Sequence, residues 1–267
     1  MAEKIERIQR NFLWSGTEEK NKLSLVNWEE VCKPKAKGGL WIRRMKDLNK
    51  ALLTKIGWRL AEGNTGWGNI MKAKYLSNTS FRWNLFNNDL LGGSKIWQNI
   101  VRNRGLLREG LRWIVGNGFN IRFWEDRWMD GKPLALSKYR GLMELLKEDI
   151  GVKVGDYIDQ GRRWKKLHKE DYPQEIAILI KKREELIKEQ RLPLLPQEDI
   201  MAWDLTPNGN FIVKSAYTLM FNKELCPTTW SKVWISILIP KINFFWWTVQ
   251  HGNFLTIDNL KKKGDSI

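Results

Sequence analysis

Two cysteines and two histidines are all that 267 residues contain. Cys32 and Cys226 lie far apart in sequence, and two cysteines cannot make a disulfide framework or fill a four-ligand zinc site. His168 and His251 are equally isolated. No Asp-Asp pair occurs anywhere, so the paired carboxylates that hold two metal ions in a polymerase are missing. The nearest substitute is Glu125-Asp126, and flanking Arg122 and Arg127 point to ion pairing instead. A Gly-x-Ser-x-Gly nucleophile elbow, a P-loop and a dinucleotide fingerprint are also absent; Gly63, Gly66 and Gly68 have the wrong spacing. The start, MAEKIERIQRNF, lacks the apolar stretch of a signal peptide. The longest apolar run, Val233 to Val249, is broken by Pro240, Lys241 and Asn243, and reads as buried helix. The expectation is a non-catalytic, cofactor-free intracellular chain with no membrane partner, nucleus and cytoplasm both remaining open.

Positive charge and tryptophan are what the sequence has in excess. Forty-six Lys and Arg against 30 Asp and Glu leave a formal charge of +16. A charge of that size concentrates polyanions, RNA or DNA, at the surface. Sixteen tryptophans offer buried area and, for a minority, flat faces on which bases stack. With 42% hydrophobic and 28% charged residues the chain can bury a core and is not a disordered polyelectrolyte.

Helical spacing dominates. Ile5, Ile8 and Phe12 mark an amphipathic helix over 1–14, and Asn27 caps a short one beginning at Trp28 that must stop by Pro34. Further helices are predicted at 47–62, 67–76, 94–103, 173–190, 215–221, 229–236, 241–251 and 256–263. Period-two alternation interrupts twice. Leu111 to Val115 and Phe119 to Phe123 flank Gly116-Asn117-Gly118, and Ile200 to Leu205 and Asn210 to Val213 flank Pro207-Asn208-Gly209. Both read as β-hairpins. The fold class is therefore α+β, mostly helical with two hairpins and a small C-terminal helical domain. Leu192 to Gln197, with two prolines, reads as a linker between residues 1–191 and 198–267.

Cations mixed with aromatics form the candidate binding sites. Lys33, Lys35 and Lys37 precede Gly38-Gly39, with Trp41, Arg43 and Arg44 just after. Arg112, Asn117 and Arg122 sit on or beside the first hairpin turn, and Arg162, Arg163, Trp164 and Lys165 form another cluster. Lys and Arg supply sequence-independent phosphate contacts, and aromatic faces supply stacking. Lys72, Lys74 and Tyr75 form a smaller group, whereas Lys261 to Lys263 read as solvated charge.

Several stretches, in order, resemble one family. Asn11-Phe12-Leu13-Trp14-Ser15-Gly16 resembles its Phe-Leu-Trp-x-Gly opening. Val26 to Lys35 followed by Gly38-Gly39-Leu40 resembles its Val-x-Trp-x-x-Val-Cys-x-Pro-Lys…Gly-Gly-Leu signature. Asn49 to Leu60, and Gly110 to Trp128 with its Phe-Trp-x-Asp-x-Trp end, continue the match, and residues 203–264 extend it. The family is the plant non-LTR (LINE-type) retrotransposon polyproteins, in the region downstream of the reverse transcriptase domain and running into its zinc-binding region. Trp41 departs from the pattern, since the family usually places a further glycine there. The resemblance puts the family's zinc ligands beyond Ile267, so no residue here inherits a ligand role. It implies a connector, a fragment or decayed copy, that holds RNA or DNA beside the reverse transcriptase domain in cis. The alternative it leaves open is a structural or protein-interaction module, or an inactive remnant.

Overall fold

The computed structural model describes residues 2–16, 23–63, 66–75, 92–129, 132–137, 139, 141, 143, 151–159, 163–164, 174–190, 197–221, 230, 233–234 and 239–253. These residues form an α+β, mostly helical fold. Its helices are α1 (Ala2–Ser15), α2 (Trp28–Cys32), α3 (Met45–Glu62), α4 (Gly66–Tyr75), α5 (Lys95–Arg102), α6 (Arg104–Gly110), α7 (Gln174–Lys188), α8 (Val213–Leu219) and α9 (Pro240–Gln250). Two strands, β1 (Leu111–Ile114) and β2 (Ile200–Trp203), complete it. The chain divides into two compact units, residues 1–52 with 217–267 and residues 53–216. The sequence had suggested a division at 192–197. Of that stretch, 192–196 lie outside the described residues, while β2 just beyond it belongs to the same unit as residues 53–191.

In the first unit, α2 begins where the Asn27 side chain accepts the Glu29 N–H at 3.0 Å. Trp28, Val31 and Cys32, spaced three and four apart, then point inward. They pack with Val26, Val233 and Trp247. Pro240, at the first position of α9, loses no hydrogen bond there, and Trp247 and Thr248 form the buried side of that helix. Truncating a ring as fully buried as Trp247 to alanine costs about 3–5 kcal/mol.

In the second unit, the Ser94 hydroxyl caps α5, whose Trp97, Ile100 and Val101 are buried while Ile96 is exposed. The helix α6, unforeseen in the sequence, leads directly into β1. Residues Leu111 to Ile114 and 200 to 203 are extended as the alternation indicates, but neither makes its own hairpin. Instead β1 and β2 pair with each other, antiparallel, with Leu111 opposite Trp203 and Ile114 opposite Ile200. The segment expected opposite β1 pairs elsewhere: Phe123 N–H donates to Val152 O at 2.9 Å and Val154 N–H to Ile121 O at 3.0 Å. Pro207-Asn208-Gly209 does turn the chain, with Trp203 N–H donating to Gly209 O at 2.7 Å, but no returning strand follows it.

Indoles bind this unit together. Trp97, Trp124 and Trp203 are fully buried. Trp203 meets Trp58 edge-on at 5.7 Å and donates its Nε1–H to the Ser215 hydroxyl at 2.7 Å. A Cβ on Gly110 would lie 2.1 Å from the Trp203 ring, so only glycine fits there. No helix among the described residues is long and apolar enough to cross a membrane.

Candidate nucleic-acid interface

Residues 33–44 form one tight turn at the end of α2. Proline stops the helix, and Gly39 N–H donates back to Pro34 O at 3.1 Å. Leu40 and Trp41 then return beside it, donating to Val31 O at 2.8 Å and Lys33 O at 3.0 Å. Gly38 holds φ +87°, and a Cβ on Gly39 would sit 1.9 Å from Lys33 O, so this backbone approach requires the glycine pair. Trp41 takes φ 61°, a left-handed conformation that favours glycine, the residue the resemblance leads one to expect. Edge contacts of its ring with Tyr217 at 5.4 Å and Phe221 at 5.7 Å hold it there.

The turn brings Lys33, Lys35, Lys37, Arg43 and Arg44 onto one short segment, but their charges are not equally available. Lys33 pairs with Glu30 at 2.8 Å, and Arg44 with Glu29 at 3.0 Å and Asp47 at 4.0 Å. Lys37 donates to the Phe221 carbonyl. Lys35 is exposed, its Nζ 4.7 Å from the centre of the Trp234 ring, and Arg43 is exposed as well. Beneath the turn, burial pushes the Cys32 thiol up to about 12, with Glu6 adding to the effect, so this cysteine is an inert packing group. Burial likewise raises the Tyr217 hydroxyl, which accepts the Arg44 N–H at 3.0 Å.

In the second unit, Gly116-Asn117-Gly118 is held open by a carboxylate that sequence reading did not single out. Asp199 is 1% exposed; its Oδ1 accepts the Gly116 and Gly118 N–H groups and its Oδ2 the Asn120 N–H, each at 2.8 Å. Asn117 uses its own Oδ1 to accept the Phe119 N–H at 3.0 Å, leaving the Phe119 ring exposed. The two arginines expected to form a basic hairpin face both have acidic partners. Arg112 lies 3.4 Å from Asp204, which also binds Arg127 at 2.5 Å, and Arg122 pairs with Glu125. Asp126 accepts the Arg122 N–H at 2.7 Å and closes the Phe-Trp-x-Asp-x-Trp block, whose Trp128 Nε1–H donates to Phe123 O at 2.9 Å.

Arg163 is exposed, and its backbone N–H donates to Asp159 at 2.7 Å. Trp164 is half-buried, donating to Gln190 O at 3.1 Å with its ring 5.7 Å from Trp128. Arg162 and Lys165 lie outside the described residues, as do Lys261 to Lys263 and the helix expected at 256–263. The sequence did not reveal which aromatics stay at the surface. Phe245 and Trp246 on α9 are 59% and 48% exposed, and Lys241 on the same helix is exposed. Among the described residues no three His, Cys, Asp or Glu side chains gather as a metal site would need.

Residues 211–267 match the family described as zinc-binding in reverse transcriptase. Over 265 residues the chain is 31% identical to a protein of Arabidopsis thaliana that carries a provisional ribonuclease H name, covering 95% of this chain and 40% of that protein. Over 140 residues it is 32% identical to an uncharacterized mitochondrial protein of the same plant, covering 50% of this chain and 87% of the relative. The chain thus spans about two fifths of the length of the first of these relatives. No solved structure matches it.

Proposed function

The chain belongs to the plant non-LTR (LINE-type) retrotransposon-derived polyproteins, in the region running into the zinc-binding part of reverse transcriptase, and on that premise we propose that it is a non-catalytic connector holding RNA or DNA through phosphates. The observation that carries this reading is the turn at 33–44, which exposes Lys35 and Arg43 on a chain of net charge +16. Lys33, Lys37 and Arg44 have internal partners, so binding would cost them an existing contact. Among the described residues Lys35 and Arg43 form no ion pair, Lys35 resting only over the Trp234 ring, and they are the first phosphate contacts. Exposed Phe245 and Trp246 supply ring faces on which bases stack, worth about 1–3 kcal/mol per base. The reverse transcriptase domain of the same polyprotein is the protein partner in this reading.

Binding of labelled single-stranded RNA and DNA across a salt series tests it. Each neutralised phosphate contributes about 0.7–0.9 to the slope of log K against log salt. Replacing Lys35 and Arg43 by alanine together is expected to lower the slope by roughly 1.4–1.8, whereas Lys33→Ala changes it little. A flat salt titration of the wild-type chain ends the proposal.

A second reading rests on the outer face of α9. Ile242, Phe245 and Trp246, spaced three and four apart, are all exposed, as a protein-docking helix would present them. If this face binds protein and not nucleic acid, Phe245→Ser leaves nucleic-acid affinity unchanged at every salt concentration.

A further inference from the structure

We infer that in this chain the segment matching the zinc-binding family takes its fold from residues 23–44 of the same chain, and that no metal ion closes its core. This goes beyond nucleic-acid holding and does not depend on it. Among the described residues of the segment, Tyr217, Phe221, Trp230, Trp247 and His251 all make contacts that end on the N-terminal turn. Gly38 O accepts the Trp247 Nε1–H at 2.6 Å, and the His251 Nε2 lies 2.9 Å from the same oxygen, which as an acceptor requires that nitrogen to carry its proton. The Trp230 ring occupies the space a Gly38 Cβ would take, 2.5 Å from it. Tyr217 accepts the Arg44 N–H and packs with Phe221 around Trp41, while the Phe221 carbonyl accepts from Lys37. One glycine carbonyl and one strained tryptophan thus organise residues 217, 221, 230, 247 and 251.

The residues present do not fit a zinc ion. A structural zinc site takes four Cys or His ligands in a tetrahedron, with each thiol ionised. The whole chain has two cysteines and two histidines. Cys32 is sealed in the core at 1% exposure with its thiol pushed up to about 12, the wrong environment for a thiolate ligand. His251 lies between the rings of Trp230 at 4.7 Å and Trp247 at 4.9 Å, its Nε2 already committed to Gly38. Cys226 and His168 lie outside the described residues. Among the described residues, aromatic packing and two hydrogen bonds to one carbonyl, not a metal, hold this core.

The test uses the full chain, melted in the presence of 1,10-phenanthroline and again with added zinc sulfate. The expected result is the same melting temperature in both and no stoichiometric zinc uptake by equilibrium dialysis. Zinc bound at one equivalent with a raised melting temperature, or a chelator-induced drop, overturns the inference. Trp247→Phe, which keeps an aromatic ring but removes the indole donor to Gly38 and some packed volume, is expected to lower the melting temperature by at least about 2–4 °C. That loss should be equal with and without chelator, and hydrogen exchange at Leu40 and Trp41 should quicken. Unchanged exchange at those two amides would show that the turn and α9 are not coupled, and also overturns it. If Trp247→Phe does not fold, the chelator and zinc arms on the wild-type chain still decide.

Discussion

Asp126 sits where burial and hydrogen bonding oppose each other. Burial pushes its carboxyl up from 3.8 to about 6, and Glu125 adds to the rise, while the Arg122 N–H and the guanidinium groups of Arg122 and Arg108 pull the other way. A carboxyl whose folded value exceeds its unfolded value binds its proton more tightly in the fold. The stability this brings is complete below pH 3.8 and is lost as pH rises through 6. At neutral pH the ionised form then costs the fold on the order of 1–2 kcal/mol, allowing for partial solvent screening. Asparagine keeps an oxygen to accept the Arg122 N–H and has no charge to desolvate. Asp126→Asn is therefore expected to unfold at higher urea than wild type at pH 7, with the gap narrowing toward pH 4. A gap that stays constant over that range would place the cost elsewhere. Trp41 shows a different kind of local expense. Its left-handed backbone costs on the order of 1–3 kcal/mol, offset by ring contacts that a glycine would not make.

Among the elements, β1 and β2 are held in register from outside the sheet. Asp199 precedes β2 and gathers the N–H groups of the loop that follows β1, so one carboxylate fixes the Ile114–Ile200 end of the pairing. Gly116 lies in that clamp, and a Cβ there would meet Gln197 O and Glu198 O at 2.4 Å, both backbone atoms that cannot swing aside. Gly116→Ala is expected to destabilise by about 2–4 kcal/mol. Amides of Leu111–Ile114 and Ile200–Trp203 should then exchange faster together. Loss of protection in one strand alone would refute the clamp. The same clamp explains which elements could be read in the sequence. Most helices were legible because their caps and spacing are local: Asn27 lies within five residues of Trp28, Val31 and Cys32, and Ser94 within seven of Trp97, Ile100 and Val101. Strand existence was legible from alternation, but strand partners were not. Gly-Asn-Gly looks like a hairpin turn until a carboxylate some eighty residues away claims its amides. The site was legible to the same degree. The cationic turn could be located from Lys33 to Arg44, yet the pairing of Glu29, Glu30 and Asp47 that neutralises part of it depends on how the turn folds back and has no sign in the sequence.

At the scale of the whole molecule, net charge and exposed apolar surface respond to salt in opposite directions. A charge of +16 repels other copies and attracts polyanions, and both effects weaken as the screening length shortens from about 8 Å at 0.15 M to about 3 Å at 1 M. Apolar contact through Ile242, Phe245 and Trp246 is not screened. Self-association should therefore grow with added salt over the range in which nucleic-acid binding falls. Sedimentation velocity of the full chain at rising sodium chloride is expected to show a shift from monomer toward larger species. Phe245→Ser should suppress that shift without altering the salt slope for RNA contributed by Lys35 and Arg43. If association instead falls with salt alongside RNA binding, the contact between copies is electrostatic, and the outer face of α9 is not what joins them.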